Sequence, residues 1–282
     1  MLTKIFLNPE KKLREGWWVV IFFIILTTFL FPLILLANKY SFEIKLEYQT
    51  LLILIVSIIC QKLKRDTISN LIGKISTKWL NELFKGIFIG ACLMILPALT
   101  LTLTGFISWQ ISAISYTTLI SGLTLFSTVA IAEELLFRGF LFQRLHASIG
   151  KWPTQLIISG LFLLTHLNNP GMVGIVKTFA SINIFIASLL FGFAYLKTKS
   201  LAMPIGLHFM ANFTQGTLLG FGVSGSKDPS FLLANTNHLP VWITGGNFGI
   251  EASSVGLLFL IIITLSFNFK NLKSQRVSAL TV

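Results

Sequence analysis

Charge is what this sequence has least of. Of its 282 residues only 11% are charged, against 54% hydrophobic, and the mean hydropathy is +0.81. A soluble globular domain carries about 25% charged residues. Lipid is therefore the expected solvent for most of the surface, which also accommodates the 26 Phe residues. Cysteine is scarce too: Cys60 and Cys92 each lie in or beside an apolar run, which argues against a disulfide framework. The GxSxG nucleophile elbow and the HExxH zinc motif are both missing, as are internal repeats and low-complexity stretches. The net charge of +12 comes without any soluble basic domain, so no nucleic-acid partner is expected. Basic loops facing the cytoplasm and anionic lipid account for it.

What is present is a series of long apolar runs. A spanning helix needs about 20 mostly apolar residues. Candidate spans cover 17–37, 48–60, 83–104, 117–145, 153–167, 173–196, 201–220 and 253–269. The first follows a basic stretch, but it is too long for a signal peptide and lacks a small-residue cleavage site, so it reads as a retained helix. Pro97 predicts a kink in the third span, and Gly86 and Gly90 permit close helix approach there. The loop charges fit this parse: Lys and Arg divide 18 to 3 between the two sides, with Lys177 inside the sixth span. The expectation is an all-α fold, a polytopic membrane helical bundle of about eight transmembrane helices with both termini cytoplasmic. It forms one membrane domain over residues 1–282, probed most directly at its intramembrane polar groups.

Those groups are few. Of ten acidic residues, only Glu133 and Glu134 fall within a span; Glu82, Asp228 and Glu251 are among those read as loop residues. Of four histidines, His166 and His208 lie inside spans, His146 at the end of the fourth, and His238 in the last outer loop. A charge at the bilayer centre costs about 2.5–3.5 kcal/mol on insertion scales, so such residues face the bundle interior and mark function. Glu134 and Arg138 are four apart and can pair on one helix face. Glu133 is turned about 100° away and has no local cation, which makes it the better general base. Asn212, four residues after His208, shares that histidine's face. Each of these residues also has a plain structural use, as an interhelical lock or a satisfied buried polar group.

Glu133-Glu134-Leu135-Leu136-Phe137-Arg138-Gly139 resembles the EExxxRG signature of the CPBP family, the CAAX-type prenyl endopeptidases and bacteriocin-processing proteins also called the Abi family. Phe162-Leu163-Leu164-Thr165-His166, with Asn168-Asn169-Pro170 trailing, is similar to the second motif of that family, and His208-Phe209-Met210-Ala211-Asn212 to the third. The resemblance implies an intramembrane endopeptidase with residues 117–220 as its catalytic core and a peptide or protein at the membrane as its substrate. Carried over by position, Glu133 activates the attacking water, Glu134 and Arg138 complete or brace the site, and His166, His208 and Asn212 hold the water, a metal or the oxyanion. Glu133, His166 and His208 are also a ligand set for Zn2+, and a metal-free mechanism is equally tenable. A noncatalytic immunity or scaffold protein of the same fold, or a proton-coupled transporter, is the alternative. Access is expected at the plasma membrane from the cytoplasmic side or laterally, with the Gly-, Ser- and Asn-rich stretch 221–252 on the other side. A continuous fourth helix puts Glu133 about 18 Å deep, and a seventh starting at Leu201 puts His208 only about 10 Å deep.

Overall fold

The computed structural model describes residues 5–112, 115–236 and 239–280, with side chains to residue 267. His238 lies outside the described residues. Helices fall on every expected apolar run: α1 (Glu15–Tyr40), α2 (Leu46–Leu63), α3 (Thr77–Leu103), α4 (Tyr116–Glu134), α5 (Phe142–Ile149), α6 (Lys151–His166), α7 (Gly174–Thr198), α8 (Ala202–Phe213) and α9 (Ser254–Leu280). Five segments are long and apolar enough to cross a membrane: Glu15–Tyr40, Leu46–Leu63, Ile68–Leu103, Tyr116–Ile149 and Gly174–Thr198. The fold is an all-α membrane bundle. Its outward faces carry bare apolar side chains such as Phe84, Phe88 and Leu103, as lipid contact requires.

Local sequence explains the element boundaries. Ser76 and Ser115 cap α3 and α4 by accepting hydrogen bonds from the Trp79 and Thr118 backbone N–H groups. α7 stops at Lys199, which takes the left-handed conformation. Pro97 sits inside α3, where it removes one helical hydrogen bond.

Glycine sets the tightest packing. A Cβ at Gly86 would overlap the Met203 carbonyl oxygen, one at Gly90 the Leu207 carbonyl oxygen, and one at Gly206 the Leu83 carbonyl oxygen. α3 and α8 therefore meet backbone to backbone, and α8 carries His208. The close approach expected from Gly86 and Gly90 is present; Gly206 completes it from the opposite helix.

Three expectations need correction. First, the fourth span is not one regular helix. α4 passes through a π-helical turn, Leu135–Leu141, before α5 begins, and Gly139 has φ −73°, ψ −113°, outside the helical and extended regions. Depth counted along a straight helix to Leu145 is therefore invalid. Second, Arg138 belongs to that turn and is fully buried, so it is no loop charge; removing it takes the count on that side from 18 to 17. Third, Glu82 lies in the first turns of α3 rather than in a loop, buried and 3.9 Å from Lys78.

The stretch 221–252 folds back over the bundle. Its strand β2 (Leu232–Asn235) pairs antiparallel with β1 (Ser108–Ile111), which follows α3, in the register Ser108 to Asn235 and Ile111 to Leu232. The hydrogen bond from Phe231 N to Thr217 O (2.8 Å) ties it to the π-helical end of α8, Thr214–Leu218.

Candidate active site

α4, α6 and α8 bring the three motifs together. Glu134, the last residue of α4, is wholly buried, as is Arg138 one turn on. Arg138 Nη1 donates to Glu134 Oε1 (3.1 Å), and Nη2 donates to the Ser188 carbonyl (3.2 Å) and Ser188 Oγ (2.7 Å) of α7. The guanidinium also lies over the Phe162 and Phe191 rings, 4.7 and 4.9 Å from their centroids. Such cation–π contacts suit a guanidinium removed from water. The arginine is thus held from α6 and α7 as well as from its own helix.

The same Glu134 oxygen fixes His208. Nδ1 of His208 lies 2.9 Å from Glu134 Oε1, and the imidazole stacks on Phe191 at a centroid distance of 4.9 Å and 10° between planes. The ion-paired carboxylate can only accept, so Nδ1 carries the proton. On α6, His166 Nδ1 lies 2.7 Å from the Phe162 carbonyl oxygen, one turn earlier. That oxygen also can only accept, so this Nδ1 is protonated too. In the neutral imidazoles both Nε2 atoms are then free acceptors.

Both face Glu133. His166 Nε2 is 4.0 Å from Glu133 Oε1, and His208 Nε2 is 3.8 Å from Glu133 Oε2. Glu133 is about a quarter exposed, unlike its neighbour, and its Oε2 has no hydrogen-bond partner. In that neutral state three acceptor groups converge, with no donor between them among the described residues. The separations of about 4 Å leave room for a small donor molecule to bridge them, and water fits that role.

A cavity of about 260 Å³ opens on this cluster. Glu133, His166, His208 and Asn212 line it, while Glu134 and Arg138 do not. All six motif residues are therefore in one place, divided into a cavity-lining set and a buried bracing pair. Glu133 and His208, expected at different depths along straight helices, lie 3.8 Å apart, with a π-helical turn following Glu134 and the glycine seam holding α8 against α3.

The ligand types of a Zn2+ site are present in Glu133, His166 and His208, but the spacing does not suit one. Among the described residues, no group of three His, Cys, Asp or Glu is set closely enough to hold a metal ion.

Several contributors escaped the sequence reading. Ser188 is the second partner of Arg138. Asn183 lines the cavity from α7, and its polarity inside an apolar run was the available signal. Ser224, Asp228 and Glu251 line it from the stretch 221–252, so Asp228 and Glu251 are not merely loop acids. Nothing in periodicity marks them.

Fold and site together define a helical membrane protein with a glutamate–histidine–arginine centre inside the bundle. Residues 115–214 match the sequence model of the Rce1-like family, described as type II CAAX prenyl endopeptidase Rce1-like. The resemblance drawn from the three motifs therefore holds over the segment that carries them, and at family level it supports a peptidase. A search of curated proteins finds no match.

Proposed function

We propose that this chain is an intramembrane endopeptidase of the CAAX-protease type, hydrolysing a peptide bond of a membrane-associated substrate with water activated by Glu133. The observation that carries this reading is the convergence of the Glu133 carboxylate and the two Nε2 atoms on one point of the cavity. Water bound there donates its hydrogens to Glu133 and to an imidazole, which aims an oxygen lone pair into the cavity. Glu133 takes one proton as that oxygen attacks the peptide carbonyl, whose π electrons move onto its oxygen. The Asn212 side-chain amide donates to the resulting oxyanion. Glu133 then passes the proton to the amide nitrogen, the C–N bond breaks as the oxyanion collapses, and a carboxylic acid and an amine form, the acid proton then moving to the amine to give carboxylate and ammonium.

The remaining residues serve position rather than bond-making. Glu134 keeps His208 in the tautomer that presents Nε2, and Arg138 holds the Glu134 carboxylate in place. Residues 117–220 form the catalytic core of a single membrane domain. The stretch 221–252 lines the far wall of the cavity, which supports entry of the peptide laterally or from the cytoplasmic face of the plasma membrane.

The test is a comparison of the membrane peptidome of cells carrying the native chain with cells carrying Glu133→Gln, at equal protein levels. Peptides that accumulate uncut only with Glu133→Gln are the expected result. Identical peptidomes would overturn the peptidase and favour the noncatalytic immunity or scaffold reading. A chelator arm addresses Zn2+: cleavage that persists under chelation is expected, and loss restored by added zinc would require a metal-dependent mechanism.

A further inference from the structure

Beyond the water site, the mostly apolar cavity wall carries a small group of acceptors. Asp228 and Glu251 line it from the stretch 221–252, and among the described residues no Lys or Arg lines it, in a chain whose net charge is +12. Neither acid pairs with a cation among the described residues. Glu251 is held in place: its carboxylate accepts from the Ser224 backbone N–H and hydroxyl, and its backbone N–H donates to Gln215 Oε1 (3.1 Å). Gln215 in turn donates to the Gly222 carbonyl (2.7 Å). Gln215 lies three residues beyond Asn212, so this wall is bound to the helix segment that carries the candidate catalytic groups.

Asn183 supplies an independent indication. It is 2% exposed and lines the same cavity. Its amide nitrogen is committed to the Phe179 and Ser253 carbonyls, at 3.0 and 3.4 Å. Its Oδ1 accepts from no described residue and is not among the fully buried unpaired atoms, so it is open to a donor in the cavity. The occupant that satisfies these oxygens is rich in N–H donors and positively charged. Burial pushes the Glu251 carboxyl above the usual carboxylate range, against the opposing pull of the Ser224 hydrogen bonds and of nearby His166.

We infer that Asp228, Glu251 and Asn183 form a subsite for a positively charged side chain, Lys or Arg, of the peptide substrate. These residues lie within or beyond the matched segment 115–214 without belonging to its three motifs. The inference rests on the peptidase reading, and it defines which peptides that enzyme accepts. A lysine ammonium or arginine guanidinium donates to the carboxylates and to Asn183 Oδ1, while the flanking backbone lies along the apolar wall toward Glu133.

The experiment measures binding, so that it does not depend on turnover. The full chain carrying Glu133→Gln is reconstituted in phosphatidylcholine vesicles. It is offered capped apolar peptides of one sequence, each with a photoreactive benzophenone group and one variable position bearing Lys, norleucine or Glu, scanned along the peptide. In at least one register, cross-linking of the Lys peptide should exceed that of the norleucine peptide about tenfold, the size of one modest charge contact, with Glu weakest. Asp228→Asn and Glu251→Gln together should bring that ratio close to one. Gln retains an acceptor for Ser224, and Asp228 makes no hydrogen bond of its own among those described, so Asp228→Asn alone is a second variant should the pair fail to fold. Equal labelling by Lys and norleucine at every register, or a preference untouched in the variants, would overturn the subsite. Absence of cleavage by the native chain with the Lys preference intact would instead overturn the peptidase reading alone.

Discussion

Two clusters of opposite charges join helices in this bundle, and they differ in solvent. In the first, Glu15 at the start of α1 pairs with Arg144 of α5 (2.8 Å) and with Lys64 just beyond α2 (3.1 Å), which also reaches Asp66 (3.7 Å). Its acids and its lysine retain water, Glu15 at 31%, Asp66 at 21% and Lys64 at 20% exposure, while Arg144 is at 9%. In the second, Glu134 and Arg138 are both at 0% and pair with each other, Arg138 also donating to Ser188 and Glu134 also holding His208. Distances alone do not separate the clusters, since 2.8 and 3.1 Å are both ordinary ion pairs. What separates them is the consequence of deleting one member. At the exposed cluster the orphaned charge returns to water; at the buried one it cannot.

That contrast orders the expected effects. Arg138→Met leaves Glu134 bare in the bundle and should cost about 3–5 kcal/mol, read as a large fall in thermal stability in detergent. Replacing both members, Glu134→Leu with Arg138→Met, should recover much of that stability, because no lone charge remains. Peptide cleavage should stay lost in the double variant, since His208 no longer has its Nδ1 acceptor. A double variant as unstable as the single one would show that the pair itself contributes the stability.

Gly206→Ala should be next. Its Cβ meets the Leu83 carbonyl, so α8 must move off α3 at about 1–3 kcal/mol, and His208 moves with it; melting and cleavage measured together report both. Arg144→Met should cost about 1 kcal/mol or less, and the loss should shrink further in high salt. A cost as large as that of Arg138→Met would erase the distinction between the clusters.

The smallest effect belongs to Asp66. Burial alone would raise its carboxyl, but the Asn70 amide, the Thr67 N–H and the Lys64 and Arg144 charges outweigh it and hold it below its ordinary value. The ionised form is therefore favoured by folding. Its contribution is fully present above the ordinary carboxylate range and is lost as pH falls through the lower folded value. Native protein should melt slightly above Asp66→Asn at neutral pH, and the gap should close in acid.

Legibility in the sequence followed the range of the interactions involved. Apolar runs report their solvent directly, so α1 to α4 and α6 to α9 were visible while α5 was read as the end of the fourth span, with Gly86 and Gly90 marking one side of the α3–α8 seam. The Glu134–Arg138 pair was visible because four residues make one helical turn. Ser188, fifty residues from Arg138, was not, since nothing local records which face of α7 meets the π-helical turn. That turn was also hidden, and with it the burial of Arg138, because Leu135 to Leu141 look as helical as their neighbours. Asp228 and Glu251 were read as loop acids because irregular segments have no period from which to infer direction; only the fold carries them back over the cavity.

The central claim is that two adjacent glutamates do different work, Glu133 on the water and Glu134 on the scaffold. It is tested most directly by comparing Glu133→Gln and Glu134→Gln in vesicles, with cleavage of a peptide taken from the native peptidome and thermal melting measured on the same preparations. Glu133→Gln should melt with the native protein and lose cleavage by about 10²–10⁴-fold, the size of a general-base contribution; Glu134→Gln should lower the melting temperature. Full cleavage by a well-folded Glu133→Gln variant would contradict the account.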